Sequence, residues 1–234
     1  MLDGAPRGRL FSYSLHSNKL SLLLCGLHFP NGVQLLPDEE SLLFVESGRF
    51  RVLKLHLKRF QSHALSSTSP SAFMFTSCAE NGTLYDTLHS PERMDHIGLE
   101  IFLESIPGYP DNIRIDKLTY DRLYLGIAVK SAQPFSLLYY LFQGNLFRHI
   151  IGRLVPMKYI EKFFPKYGLV GVIGLDGSVQ ASLHDPKGNV ILISEAQRHP
   201  LTGDIWLGSH AMPYLGVLKK EYVEAIPGWG ALLE

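Results

Sequence analysis

Three oxygen-bearing side chains, Asn31, Asp111 and Glu195, occupy nearly equivalent places in a unit that occurs three times along the chain. The first unit reads Phe29-Pro30-Asn31-Gly32-Val33, then a polar turn at Pro37-Asp38-Glu39-Glu40, then the apolar run Leu42-Leu43-Phe44-Val45-Glu46. The second reads Tyr109-Pro110-Asp111-Asn112-Ile113, with Leu123-Tyr124-Leu125-Gly126 behind it. A looser third copy has Ile193-Ser194-Glu195-Ala196, a turn at Leu201-Thr202-Gly203-Asp204 and the run Ile205-Trp206-Leu207-Gly208. Each copy reads as a hairpin-like β unit with one polar residue where its first strand begins. Self-similarity of this kind points to stacked or radially arranged β units. In a radial array the three polar places converge on one axis.

Other groups with chemical potential are His184-Asp185 and His199. A His-Asp pair suggests part of a hydrolytic triad, but the sequence has no G-x-S-x-G nucleophile motif. Neighbouring residues on a strand point to opposite faces, so Asp185 reads as a turn residue. No phosphate loop, zinc-ligand spacing or dinucleotide fingerprint occurs.

The elements that must position these residues are mostly short strands. Arg9 to Ser14 alternates apolar and polar residues, His16 to Lys19 is turn-like, and Leu20 to Cys25 is an apolar strand. From Arg49 to Leu57, basic and apolar residues interleave, which predicts a half-exposed outer strand. Residues 58 to 98 break the rhythm. The serine-rich run Ser62 to Ser71 lacks periodicity and reads as a disordered insertion. It is followed by Asn81-Gly82-Thr83, a glycosylation sequon that matters only in a lumenal chain. Residues 134 to 164 carry apolar side chains near helical spacing, interrupted at Gly144-Asn145 and Pro156. They predict a helical insertion packed on the sheets, or a lid or membrane-surface helix. Leu169 to Gly174 and Ser178 to His184 form a hairpin around Asp176-Gly177. Tyr214 to Lys219 is one further strand, and 220–234 reads as a frayed tail.

Composition narrows the function classes. The chain has 234 residues, 46% of them hydrophobic and 19% charged, as in an ordinary globular domain. Its formal net charge is zero, which gives no electrostatic case for nucleic acid. The two cysteines, Cys25 and Cys78, are too few for a disulfide framework and leave one bridge or two free thiols open. The start of the chain has no apolar signal-peptide core. No apolar run reaches the ~18 residues a membrane-crossing helix needs.

A string of motifs in fixed order carries a resemblance. These are Gly8-Arg9-Leu10, Phe29 to Val33, Leu43-Phe44-Val45-Glu46-Ser47, Pro107 to Arg114, Ser182-Leu183-His184-Asp185-Pro186, Ile193-Ser194-Glu195 and Leu207-Gly208-Ser209. Over residues 8 to 218, outside 58–98, the chain resembles the strictosidine synthase-like family, and within it the membrane-anchored animal branch. The fold this implies is all-β: a six-bladed β-propeller with four-stranded blades, distantly similar to calcium-dependent hydrolases. About four blades fit within 1–234, so the resemblance implies a partial propeller truncated at its N-terminal side, as a shortened isoform or an incomplete gene model.

By the same resemblance, Asn31 and Asp111, with Asn112 beside them, match positions that hold calcium on the propeller axis of those hydrolases. Calcium takes six to eight oxygens, and these three side chains supply about three. As local features they are equally turn residues capping strand starts. Glu195 matches the family's catalytic glutamate. A carboxylate facing an apolar channel there would be disfavoured as the anion, which suits proton transfer. The function implied is hydrolysis of small aryl or cyclic esters by an arylesterase or lactonase. The alternatives are an inactive isoform or a non-enzymatic scaffold and, more remotely, strictosidine-type condensation of an amine with an aldehyde. The expected partners are a small-molecule substrate, a membrane only through an anchor outside this chain, and other copies through open sheet edges. The expected setting is the lumenal or extracellular side of the endoplasmic reticulum or plasma membrane, as a glycoprotein.

Overall fold

A computed structural model describes residues 6–66, 90–130 and 166–224. The strands follow one another as β1 (Gly8–Ser14), β2 (Lys19–Leu27), β3 (Pro30–Leu35), β4 (Ser41–Glu46), β5 (Arg51–His56), β6 (Leu99–Leu103), β7 (Gly108–Ile115), β8 (Arg122–Lys130), β9 (Gly168–Gly174), β10 (Val179–Asp185), β11 (Ile193–Arg198), β12 (Ile205–Ser209) and β13 (Gly216–Leu218). They make four antiparallel sheets: β1-β2, β3-β4-β5-β6, β7-β8-β9-β10 and β11-β12-β13. In every sheet, consecutive strands are neighbours, which is the up-and-down blade pattern of β-propellers. The described residues are mostly β, in four sheets of that pattern. Short helices are α1 (Leu57–Ser66), α2 (Pro91–His96) and α3 (Lys220–Glu224). The chain packs as two compact units, Gly4–Ser105 and one built on Ile106–Glu234.

Aspartates close several of the hairpin turns. Asp38 Oδ1 accepts the N–H groups of Glu40 and Ser41, both at 2.9 Å, between β3 and β4. Asp116 Oδ1 accepts from Leu118 N at 2.8 Å between β7 and β8. Asp176 Oδ1 accepts from Ser178 N at 2.9 Å between β9 and β10. Each is an Asx turn, in which a short carboxylate satisfies backbone donors that the strands leave behind.

In the Gly4–Ser105 unit, Leu24, Leu27, Phe44, Leu53 and Leu55 from the sheets meet Phe60 of α1 and Met94 of α2, with Ile97 and Leu99. Two expectations fail here. The stretch Arg49 to Leu57 is not a solvated outer strand. Its core, β5, lies between β4 and β6, with Arg51, Val52, Leu53 and Leu55 buried. Its basic residues alternate into ion pairs instead, Arg51 Nε on Glu46 Oε2 at 2.7 Å and Lys54 Nζ on Glu100 Oε1 at 3.2 Å. Residues 58–98 are not structureless throughout either, because α1 and α2 stand at the two ends of that stretch. The apolar residues Phe60, Met94 and Ile97 explain this: they seal the β4-β5-β6 face. Asn81 and the serine-rich run beyond Ser66 lie outside the described residues. So do the helical spacing at 134–164 and the end of the 220–234 stretch.

Cys25 is buried in β2 and disulfide-bonded, which closes one of the two possibilities left open by the sequence. The chain's other cysteine, Cys78, is outside the described residues. The β1–β2 hairpin also carries exposed apolar side chains at Phe11, Tyr13 and Leu20.

The Ile106–Glu234 unit packs Tyr124, Val170, Val172, Ile193, Ala196 and Ile205 around fully buried Val223. Val223 belongs to α3, so the expected frayed tail begins with a docked helix.

These turns and pairs set an acid limit. Arg122 beside Asp121 holds its carboxyl below the usual range. The backbone N–H of Lys220 does so for Asp204 and the Ser178 hydroxyl for Asp176. For Asp185, burial acts the other way, and the N–H groups of Val190, Asn189 and Lys187 outweigh it. Folded values lie below the ordinary 3.8. The linked stability is therefore complete above that value and lost as pH falls through the folded values. Urea midpoints are expected to be flat on this account from pH 7 to about 5 and to drop below about 4. A midpoint unchanged at pH 3 would contradict this.

Candidate active site

The three polar places share a backbone feature. Pro30 pairs with Glu46 and Val33 with Phe44, so β3 carries one extra residue at Asn31-Gly32. Pro110 pairs with Ile127 and Ile113 with Leu125, so β7 does the same at Asp111-Asn112. Ile193 pairs with Ser209 and Glu195 with Gly208, so β11 does so at Ser194. Each first strand thus has a β-bulge beside its polar residue. A bulge bends the strand and re-aims a side chain, and bulges are frequent beside active sites. The side chains at all three positions are half-buried. Asn31 belongs to one unit, and Asp111, Asn112 and Glu195 belong to the other.

Within the second unit, β11 lies against β7 and β8. Gly126 of β8, opposite the Asp111-Asn112 bulge, is a point of close approach. A Cβ there would stand 2.7 Å from the carbonyl carbon and oxygen of Ser194 and 3.0 Å from Glu195 N. Only glycine lets the Ser194-Glu195 bulge settle on the strand. The sequence signal for this was present, since a glycine inside a strand pattern marks either a bulge or close backbone contact.

Glu195 faces an arginine. Arg114 Nε donates to Glu195 Oε1 at 2.8 Å and Arg114 Nη2 to Oε2 at 3.4 Å. Arg114 Nη1 is held by the carbonyl of Ile113 at 2.9 Å. The expected apolar setting of Glu195 is therefore replaced by a paired one, because Arg114 follows Asp111 by three residues on the bulged strand. Sequence reading missed Arg114 as a site residue although it sat inside the motif string. The pair keeps access to solvent, with side chains 27% (Arg114) and 39% (Glu195) exposed.

The remaining candidates are placed elsewhere. Asp185 is the turn residue expected: Oδ1 accepts Lys187 N and Gly188 N, both at 3.1 Å, and Oδ2 accepts Val190 N at 2.7 Å. It does not serve His184. His199 stacks on Trp206, ring centroids 4.5 Å apart. Among the described residues no group of three or more His, Cys, Asp or Glu side chains is assembled for a metal. Asp111 and Asn112 fit calcium in donor type, as adjacent oxygen ligands on one bulge. In number they supply two side chains of the six to eight oxygens calcium takes. No described helix is long and apolar enough to cross a membrane.

Comparison with known proteins gives similarities of sequence and of fold. A family model described as strictosidine synthase matches residues 1–59. Adipocyte plasma membrane-associated protein of Bos taurus is 31% identical over 217 residues, covering 92% of this chain and 43% of that protein. The Danio rerio protein of that name is 28% identical over 216 residues with the same coverage. The chain thus spans less than half the length of these relatives. Among solved structures, a calcium-binding protein, regucalcin from Agrobacterium tumefaciens, is 12% identical with a TM-score of 0.46, covering 97% of this chain and 51% of that one. Over 92% of its length the chain is thus similar to adipocyte plasma membrane-associated proteins, and over residues 1–59 to the strictosidine synthase family.

Proposed function

We propose that this chain carries part of an ester-hydrolase site of arylesterase or lactonase type, acting on small aryl or cyclic esters around Glu195. The observation that supports it is the half-exposed Arg114–Glu195 pair, with Glu195 at the β11 bulge and Arg114 two residues past the Asp111-Asn112 bulge of β7. In this reading Glu195 takes the proton of the attacking water. Arg114 fixes the carboxylate's orientation and offers positive charge to the oxyanion that forms at the ester carbonyl. Asp111 and Asn112 would hold a calcium ion. When bound, calcium would supply Lewis-acid polarisation of the carbonyl. The disulfide at Cys25 supports an oxidising setting, lumenal or extracellular, since such bonds are rare in the cytosol.

A second reading is a non-enzymatic or inactive chain. The observation favouring it is that Arg114 already engages both oxygens of Glu195. Hydrolysis of an aryl ester and a small lactone, with and without a chelator, separates the two. The chain and a full-length relative are assayed side by side. Turnover by the chain that is lost on chelation supports the hydrolase with calcium. Turnover by the relative alone favours the inactive chain, and turnover by neither overturns the hydrolase reading.

A further inference from the structure

His184 has a nucleophile and an orienting group of its own, on a different sheet from Glu195. On β10, Ser182 and His184 are two residues apart and so share a face, and both are exposed. Ser182 Oγ lies 2.7 Å from His184 Nε2. Tyr167, just before β9, places its hydroxyl 2.8 Å from His184 Nδ1. The Tyr167 ring meets the imidazole edge-on at 5.8 Å, and Lys130 Nζ sits 4.3 Å from the centre of that ring. The ammonium fixes the ring by a cation–π contact, the ring fixes the imidazole, and the imidazole reaches the serine. A nucleophile in hydrogen-bond reach of a base that a third group orients is the arrangement of an activated hydroxyl. With Asp185 occupied by its turn, Tyr167 takes the orienting place.

We infer that Ser182 is an acyl-accepting nucleophile for small activated esters, with His184 as its base and Tyr167 as the positioning residue. In the Nδ1-protonated tautomer, His184 donates to the Tyr167 oxygen and accepts from the Ser182 hydroxyl. Ser182 Oγ forms the bond to the ester carbonyl carbon, and its proton passes to His184 Nε2. The carbon–oxygen bond to the leaving group breaks, and the departing alkoxide or phenolate takes the proton from His184. Among the described residues β10 is an edge strand. Alternate N–H groups of an edge strand lie outside the ladder, and backbone donors of this kind stabilise an oxyanion.

The test is a fluorophosphonate probe on the intact chain, with labelled peptides located by mass spectrometry. The serine oxygen bonds to phosphorus, fluoride departs, and the proton leaves through His184. Ser182 is expected to be the labelled site, and Ser182→Ala to abolish that label. His184→Ala is expected to slow labelling about a hundredfold, the scale of general-base assistance. Tyr167→Phe is expected to slow it about tenfold, the equivalent of one oriented hydrogen bond. Glu195→Gln should leave it unchanged, which separates this site from the proposed hydrolase. Ser182 and His184 are exposed, Tyr167 and Glu195 are half-buried, and circular dichroism verifies the fold of each of the four variants. Absence of label at Ser182, or label insensitive to His184→Ala in a folded variant, overturns the inference.

Discussion

Asp116→Ala is expected to destabilise the Ile106–Glu234 unit by about 3–5 kcal/mol, the cost of removing one partner from a buried ion pair. Asp116 has no solvent exposure. Its Oδ2 accepts from the Tyr124 hydroxyl at 2.9 Å and from Arg198 Nη1 at 3.4 Å, and its Oδ1 accepts from Leu118 N at 2.8 Å. Burial, and then the Asp116 charge, push the Tyr124 hydroxyl far above its ordinary value, so it remains a donor. Arg198 is equally buried. Its Nε reaches Gly203 O at 3.2 Å, and its Nη2 finds no partner among the described residues. Without Asp116, a guanidinium stays in the core with one carbonyl for company. The urea midpoint followed by tryptophan fluorescence reads the effect, since Trp206 lies in this unit. Lys117→Ala, on the exposed neighbour, should stay within about 0.5 kcal/mol. The double variant Asp116→Leu with Arg198→Met should recover much of the loss, because a well-packed apolar pair can replace a buried ionic one. A loss below about 1 kcal/mol for Asp116→Ala would show that the buried pair is not what holds β11 to the β7–β8 turn.

The hairpins and their turns were legible because their signals are local. Asp176-Gly177 fixes a turn by local preference, and Gly177 takes φ 86° as such a turn requires. The three polar places were legible through repetition, but the bulges that aim them were not. A bulge is a mismatch between two strands, and one strand's sequence does not display it. The interior place of β5 was hidden by its basic residues. Arg51 reads as a surface side chain until Glu46, five residues earlier on the adjacent strand, is known to face it. Likewise the helical pattern in α1 was masked by serines and by the break in β rhythm. Its one telling residue, Phe60, is buried for reasons that lie 34 residues later at Met94. Arg114 was visible as a motif letter but silent as chemistry, because its partner Glu195 is 81 positions away.

Glu195→Gln is expected to lower kcat for ester hydrolysis by about 10²–10⁴-fold, the range for loss of a general base, with a small change in KM. The substitution is nearly isosteric, and the amide oxygen can still accept from Arg114 Nε. Packing against Gly126 is therefore kept while the proton acceptor is lost. The competing account is that Arg114–Glu195 merely ties β7 to β11. That account makes its own quantitative claim. An ion pair this exposed contributes about 0–1 kcal/mol to stability, so a structural role would show as a small, equal loss in thermal midpoint for Glu195→Gln and Arg114→Met, with kcat unmoved. A catalytic role gives the opposite split: midpoints nearly unchanged, kcat down by orders of magnitude for Glu195→Gln, and a loss of about tenfold for Arg114→Lys. Lysine keeps the charge but offers a point cation in place of the planar fork that spans both oxygens, so it leaves the base present and poorly aimed. The magnitudes decide the matter, because an energy too small to hold two strands together is large enough, spent on orientation, to set a rate.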